Sequence, residues 1–125
     1  MTTAPDLLRA YLAAIRQPAS AAALFAPDGV LELPWVGVRA QGPHDIQRLV
    51  SGLLVKMPAF GFKNQKFWIE TPDKAFAEYE VEAPIVATGR VYRQTYAGLL
   101  IAEGGKIRLL REALDTEKAR VMASP

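Results

Sequence analysis

Apolar residues Leu7, Leu8, Tyr11, Leu12 and Ile15 recur at helical spacing, and Pro5 followed by Asp6 suits a first turn, so the pattern predicts an opening helix. Pro18 ends it. The next segment, Ala19 to Phe25 (ASAAALF), favours a short second helix closed by the turn residues Pro27, Asp28 and Gly29. From Val30 to Val38 the period falls to two. Leu31, Leu33 and Trp35 alternate with Glu32 and Pro34, which predicts a strand with its odd-numbered face buried and an edge or bulge at Pro34. Gly42-Pro43 opens a third helix whose stripe is Ile46, Leu49, Val50, Leu53 and Leu54, and Pro58 prevents its continuation.

After Pro58 alternation takes over in four runs, Phe60 to Glu70, Ala75 to Ala87, Arg90 to Ala102 and Lys106 to Leu114. Thr71-Pro72-Asp73, Thr88-Gly89 and Gly104-Gly105 separate them, and these are turn signals between antiparallel strands. Helices first and strands afterwards predict an α+β fold, a meander sheet curling over three N-terminal helices in place of a parallel βαβ sheet. No repeat, linker or low-complexity stretch interrupts the chain, so residues 1–125 read as one domain, with Thr116 to Pro125 as a frayed end.

Composition narrows the function classes. A chain of 125 residues, 50% hydrophobic and 22% charged, can bury roughly two-thirds of its unfolded surface in one core. It has no Cys and one His, His44, so neither a thiolate nor a histidine-rich metal site can be assembled; no metal and no cofactor are expected. The formal charge of +2 is mild, with Lys and Arg spread among acids, which argues against nucleic acid as a partner. The start, MTTAPDLLRA, lacks the basic and apolar regions of a signal peptide, and no apolar run approaches ~18 residues; a cytoplasmic protein without a membrane partner is the expectation.

Three stretches go further: LFAPDGVLELP, the Gly42-Pro43 helix entry nine residues after Leu33, and TGRVYRQTYAGLLIAEGGKIRLLREALD. With the order of elements they resemble the SnoaL-like branch of the nuclear transport factor 2-like superfamily, relatives of ketosteroid isomerase, polyketide cyclase and limonene epoxide hydrolase, from Leu7 to Asp115. The resemblance implies a cone-shaped, curved antiparallel sheet, a cystatin-like barrel, closed by helices around an apolar pocket for a hydrophobic or polycyclic small molecule. It also implies a homodimer through the outer sheet face. Apolar residues on both faces of the last two strands, Ile107 and Leu109 among them, support that dimer independently.

Function must still be argued residue by residue, because one scaffold hosts unrelated chemistries. Against the ketosteroid isomerase pattern, the general base falls on Leu33, the second acid on Ala97 and the oxyanion tyrosine on Tyr11, whose supporting tyrosines meet Phe25 and Val50. Only Tyr11 keeps its chemistry. Against limonene epoxide hydrolase, a catalytic carboxylate maps onto Glu112, Glu80 is a possible second acid, Glu78 stands where an Arg belongs, and Glu32 and Val30 meet the water-holding residues. Such chemistry needs two carboxylates with opposite pKa shifts.

Strand parity leaves two readings of the Glu-rich run. If Thr88-Gly89 is a two-residue turn, Glu82 lies opposite Thr95, Glu80 opposite Ala97 and Pro84 opposite Arg93. With Ala97 and Glu112 facing inward by the resemblance, Glu80, Glu82, Arg93 and Thr95 would ring one cavity. A one-residue bulge instead puts Tyr79, Val81, Ala83 and Ile85 inside and Glu78, Glu80 and Glu82 outside, sparing the cost of buried unpaired carboxylates. The candidate catalytic set is therefore Glu112, Tyr11, Glu80 and Arg93. The candidate ligand-binding set is Leu33, Trp35, Val50, Leu54, Trp68, Thr95, Ala97, Leu110 and Leu114. The competing reading is a non-catalytic ligand-binding or protein-interaction module.

Overall fold

The computed structural model of the chain describes residues 2–123. Helix α1 (Ala4–Ala13) begins where expected, its first turn capped by the Thr3 hydroxyl, which accepts from the Asp6 amide at 3.4 Å. It buries Leu7, Leu8, Tyr11 and Leu12. Helix α2 (Pro18–Ala22) stops three residues short of Phe25, because Phe25 starts strand β1 (Phe25–Leu33). Pro27, Asp28 and Gly29 are thus an irregularity inside β1, not a turn before it. A 3-10 turn, Pro34–Val36, then breaks the alternation, and β2 (Val38–Gln41) folds back on β1. Helix α3 (Pro43–Lys56) follows, then β3 (Phe62–Glu70), β4 (Lys74–Pro84), β5 (Val91–Glu103), β6 (Lys106–Leu114) and helix α4 (Thr116–Ala123).

The predicted α+β architecture is the observed one: a single six-stranded sheet, order β2-β1-β6-β5-β4-β3, with the helices packed on its inner face. Its pairing is antiparallel except between β1 and β6, which run parallel, so the meander expected of the last four strands is joined to an N-terminal hairpin by a parallel seam. Gly104 and Gly105, at φ of 61° and 77°, form the left-handed two-residue turn between β5 and β6. The tail read as frayed forms α4, whose first turn is capped by the Asp115 carboxylate accepting from the amides of Glu117 and Lys118 at 2.9 and 3.2 Å. Residues 124 and 125 of that expectation lie outside the described residues.

Register decides which face carries chemistry. The β4–β5 connection is a loop over residues 85–90 in which the Ile85 amide donates to the Arg90 carbonyl, not a two-residue turn, and pairing slips by two residues from the expected one. Tyr79 faces Tyr96, Glu80 faces Thr95 and Glu82 faces Arg93, without a bulge. Ala75, Ala77, Tyr79, Val81, Ala83 and Ile85 are buried and the glutamates between them point outward. On β6 the alternation slips at Arg108, where the register shifts, so Ile107 and Leu110 are both fully buried. Ile107 is therefore core; it does not add to an apolar outer face.

Candidate functional site

Most of the chain's apolar surface packs into one core, but toward α3 the sheet and helices leave a cavity of about 630 Å³. Its walls come from most elements of the fold. Helix α1 supplies Tyr11 and Ile15, β1 supplies Leu31 and Leu33, α3 supplies Leu49, Val50 and Leu53, β5 and β6 supply Tyr92, Tyr96, Glu112 and Leu114, and α4 supplies Ala119 and Met122. Phe60 and Phe62 complete the lining between α3 and β4. The predicted α3 stripe is only half-buried at Leu49 and Leu53 because those side chains face this space instead of packed protein.

Glu112 is the chemical centre. It lies opposite Gly98 on the inner face of the sheet and is 4% exposed. The Tyr79 hydroxyl donates to Glu112 Oε2 at 2.5 Å. The glycine makes that bond possible, since a Cβ on residue 98 would overlap the Tyr79 hydroxyl. No buried side-chain N or O atom among the described residues lacks a hydrogen-bond partner. The oxygens without a protein partner, Glu112 Oε1 and the Tyr11 hydroxyl, are therefore those open to the cavity. Burial pushes the Glu112 carboxyl up to about 7 from its ordinary 4.5, although the Tyr79 bond works in the opposite direction by favouring the carboxylate. Burial, and then the Glu112 charge, raise the Tyr11 and Tyr79 phenols well above their ordinary value, so both remain hydrogen-bond donors. A further phenol pair, Tyr92 and Tyr96, shares a hydrogen bond of 2.8 Å on the same wall, and both phenols are raised, mainly by burial.

Aromatic rings pack together to build this wall. Phe62 meets Phe60, Tyr79 and Tyr96 edge-on at 5.3, 5.0 and 5.9 Å between centroids, and Tyr79 stacks on Tyr96 at 6.1 Å. Helix α4 is fastened over the cavity by Gln94. Its buried amide donates to the Asp115 carbonyl and accepts from the Asp115 amide, each at 2.9 Å.

Residues 8–110 match the SnoaL-like domain family. The chain belongs to that family. No curated protein matches it. Among solved structures, a candidate polyketide cyclase from Xanthomonas campestris pv. campestris superposes with a TM-score of 0.84 at 17% identity, over 97% of this chain and 96% of that one. A protein with a ketosteroid isomerase-like fold from Catenulispora acidiphila, solved with trimethylamine, gives 0.78 at 20% identity, over 88% and 85%. A nuclear transport factor 2-like protein of unknown function from Cytophaga hutchinsonii gives 0.72 at 17%, over 96% of each chain. At these identities the likeness establishes the fold, and it is the fold that the sequence resemblance implied.

Within this SnoaL-like domain the sequence-predicted residues divide by face. Glu112, Tyr11, Leu33, Val50 and Leu114 line the cavity. Leu110 points the same way but is sealed in the core between Leu31 and Leu100, and Leu54 is half-buried beside it without lining the space. Glu80, Arg93, Thr95 and Ala97 do share one face, but it is the outer one. Glu82 takes Arg93 in an exposed ion pair at 3.0 Å, and the Asn64 amide donates to Glu80 at 2.9 Å. Ala97 lies opposite Ala113 and Glu78, one residue away from the inward Gly98, so the carried-over inward position was off by one and drew its neighbours with it. Arg93 consequently lies on the opposite side of the sheet from Glu112. Trp35 leaves the strand pattern at the 3-10 turn and is 56% exposed, its ring under the Arg111 guanidinium at 5.3 Å. Trp68 is 62% exposed and donates to Glu78 at 3.0 Å. Neither tryptophan enters the cavity lining.

Sequence reasoning missed Tyr92, Tyr96, Phe60, Phe62 and Met122 in the lining, and Tyr79 as the partner of Glu112. The signal for the tyrosines was present: Tyr92, Gln94, Tyr96, Gly98 and Leu100 have period two, and pairing Gly98 with Glu112 sends the whole set inward. Among the described residues no group of three or more His, Cys, Asp and Glu side chains is placed to hold a metal ion, and no helix is long and apolar enough to cross a membrane.

Proposed function

We propose that this SnoaL-like domain binds a hydrophobic or polycyclic small molecule in the cavity and carries out cofactor-free proton transfer on it, of the isomerase, cyclase or hydrolase type. One observation carries this reading. Glu112 is a buried carboxyl with one oxygen fixed by Tyr79 and the other open to an apolar space of about 630 Å³, a size that suits a multi-ring ligand. A carboxyl near 7 is divided between acid and base at neutral pH and can take or return a proton with little driving-force penalty. The Tyr11 hydroxyl, open to the same space, is the donor for a substrate oxygen that gains negative charge as the proton leaves carbon. Tyr79 positions the carboxyl without meeting substrate. The polyketide cyclase candidate of the same fold favours the polycyclic end of the substrate range.

The test is exchange of the protons next to the carbonyl of polycyclic ketones in deuterated water, read by mass spectrometry, together with hydrolysis of apolar epoxides. Glu112→Gln is expected to lose at least about a hundredfold of whichever activity is found. Turnover within a few-fold of wild type would refute Glu112 as the proton-transfer group and leave the second reading, a ligand-binding module. That reading is favoured by one observation: Glu112 is the only acid among the described lining residues, so no second carboxylate complements it.

The same proposal includes a homodimer. Phe76, Ala97, Leu99, Ile101 and Leu109 are half-exposed on the outer sheet face, and a second copy would bury them. Sedimentation at micromolar concentration is expected to show a dimer, and monomer alone would overturn that part.

A further inference from the structure

Several cations make no ion pair among the described residues, and two of these line the cavity. Arg9, Arg93 and Arg111 each hold a glutamate, Glu70, Glu82 and Glu32, at 2.8, 3.0 and 2.7 Å. Arg48 and Lys56, the cations of the cavity lining, are exposed and make no ion pair among the described residues. They belong to one row on α3 with Gly52 between them, four residues from each, which sets their backbone positions roughly 12 Å apart along the helix axis. Glycine is a poor choice in mid-helix, and here no close neighbour demands it, since a Cβ at residue 52 would meet nothing within 4 Å. Its effect is to leave the wall of the cavity low between two cations.

We propose that this gap is the ligand portal and that the ligand is an apolar, ring-sized acid, its anionic group held at the rim by Arg48 and Lys56 while its apolar body fills the cavity. The inference rests on the reading of the cavity as a ligand site and adds to it a substrate class and an orientation. An anion has no reason to go deeper: the inner walls are mostly apolar, and their one carboxyl, Glu112, is an acid that burial already drives toward its neutral form. At the rim the anion keeps its water and gains two cations, while the ring system leaves water altogether.

Two fluorescent probes of one scaffold separate the parts, 8-anilinonaphthalene-1-sulfonate and its uncharged analogue N-phenyl-1-naphthylamine. In the double variant Arg48→Gln, Lys56→Gln the sulfonate is expected to bind about tenfold more weakly than to wild type, and the neutral probe within about twofold. Added salt at about 0.5 M should weaken sulfonate binding to wild type and leave the double variant unmoved. Gly52→Trp, in an open position, should hinder entry of both probes and slow their association. Equal sulfonate affinity in wild type and double variant would overturn the anionic ligand. Unchanged association of both probes with Gly52→Trp would overturn the portal. If neither probe binds wild type, the cavity reading itself fails and takes this inference with it, an outcome distinct from the other two.

Discussion

Glu112→Gln also has a consequence for stability that needs no substrate. The substitution exchanges a carboxyl for an amide of the same shape, which still accepts from the Tyr79 hydroxyl. In the folded chain Glu112 titrates near 7, against an ordinary 4.5, so between those values the folded protein holds a proton that the unfolded chain has released. Stability therefore falls as pH rises through this window: the group costs nothing below it, and above it the full price of an ionised carboxylate in an apolar wall is present. At about 1.4 kcal/mol per pH unit, the cost is roughly 3 kcal/mol by pH 8, a large fraction of the ~5–15 kcal/mol that holds a domain together. The amide never incurs it. Urea denaturation of wild type and variant, followed by far-ultraviolet circular dichroism at pH 4, 6 and 8, measures the difference directly, and every other titrating group cancels. The two proteins should coincide at pH 4, and the variant should be about 2–3 kcal/mol more stable at pH 8 with an unchanged denaturant slope. A difference that does not vary with pH, or a wild type that is the more stable at pH 8, would show that the carboxylate is well solvated and that burial does not govern this site.

Gly98→Ala is expected to destabilise the chain by about 1–3 kcal/mol, because the new Cβ displaces the Tyr79 hydroxyl from Glu112. Adding Tyr79→Phe should return part of that loss, and a strictly additive double variant in urea melts would show that the two residues do not meet. Gln94→Ala leaves the Asp115 peptide group without its partners and should cost about 1–3 kcal/mol. Amide exchange in α4 should quicken more than in β5, and unchanged protection of α4 would refute Gln94 as its fastening.

The elements were legible in the sequence where local chemistry decides them. Pro43 and Pro58 bracket α3, and the paired glycines fix the β5–β6 turn, since glycine adopts two successive left-handed residues without strain. The inward face of Glu112 was legible as well, through the resemblance, and the buried Leu110 shares its parity. What alternation cannot supply is the absolute face of a strand that mixes small apolar and acidic residues. In Glu78-Tyr79-Glu80-Val81-Glu82-Ala83 it says which residues travel together, not which set is inside. Energetics favoured the observed face, since three carboxylates buried without partners would cost far more than Tyr79, Val81 and Ala83 exposed, but the bulge invoked to reach it is absent. Anchoring the sheet through Ala97, one residue from Gly98, pointed the other way and put Glu80 and Arg93 in the wrong compartment. Trp35 failed for a different reason: Pro34 starts a 3-10 turn that ends the period-two pattern one residue before it.

The parallel seam between β1 and β6 bears on how the chain reaches this state. β6 is the last strand in sequence but lies in the interior of the sheet, between β1 and β5. Until it inserts, the N-terminal hairpin has no sheet to join and β5 presents a long open edge, a template for pairing with other chains. Closing the seam joins residues about eighty positions apart, as in Leu31 with Leu110, an entropic toll that places folding among the slow, topology-limited class. The strand that closes the seam also carries Glu112, so completing the sheet and burying that carboxylate beside Tyr79 are coupled in one strand.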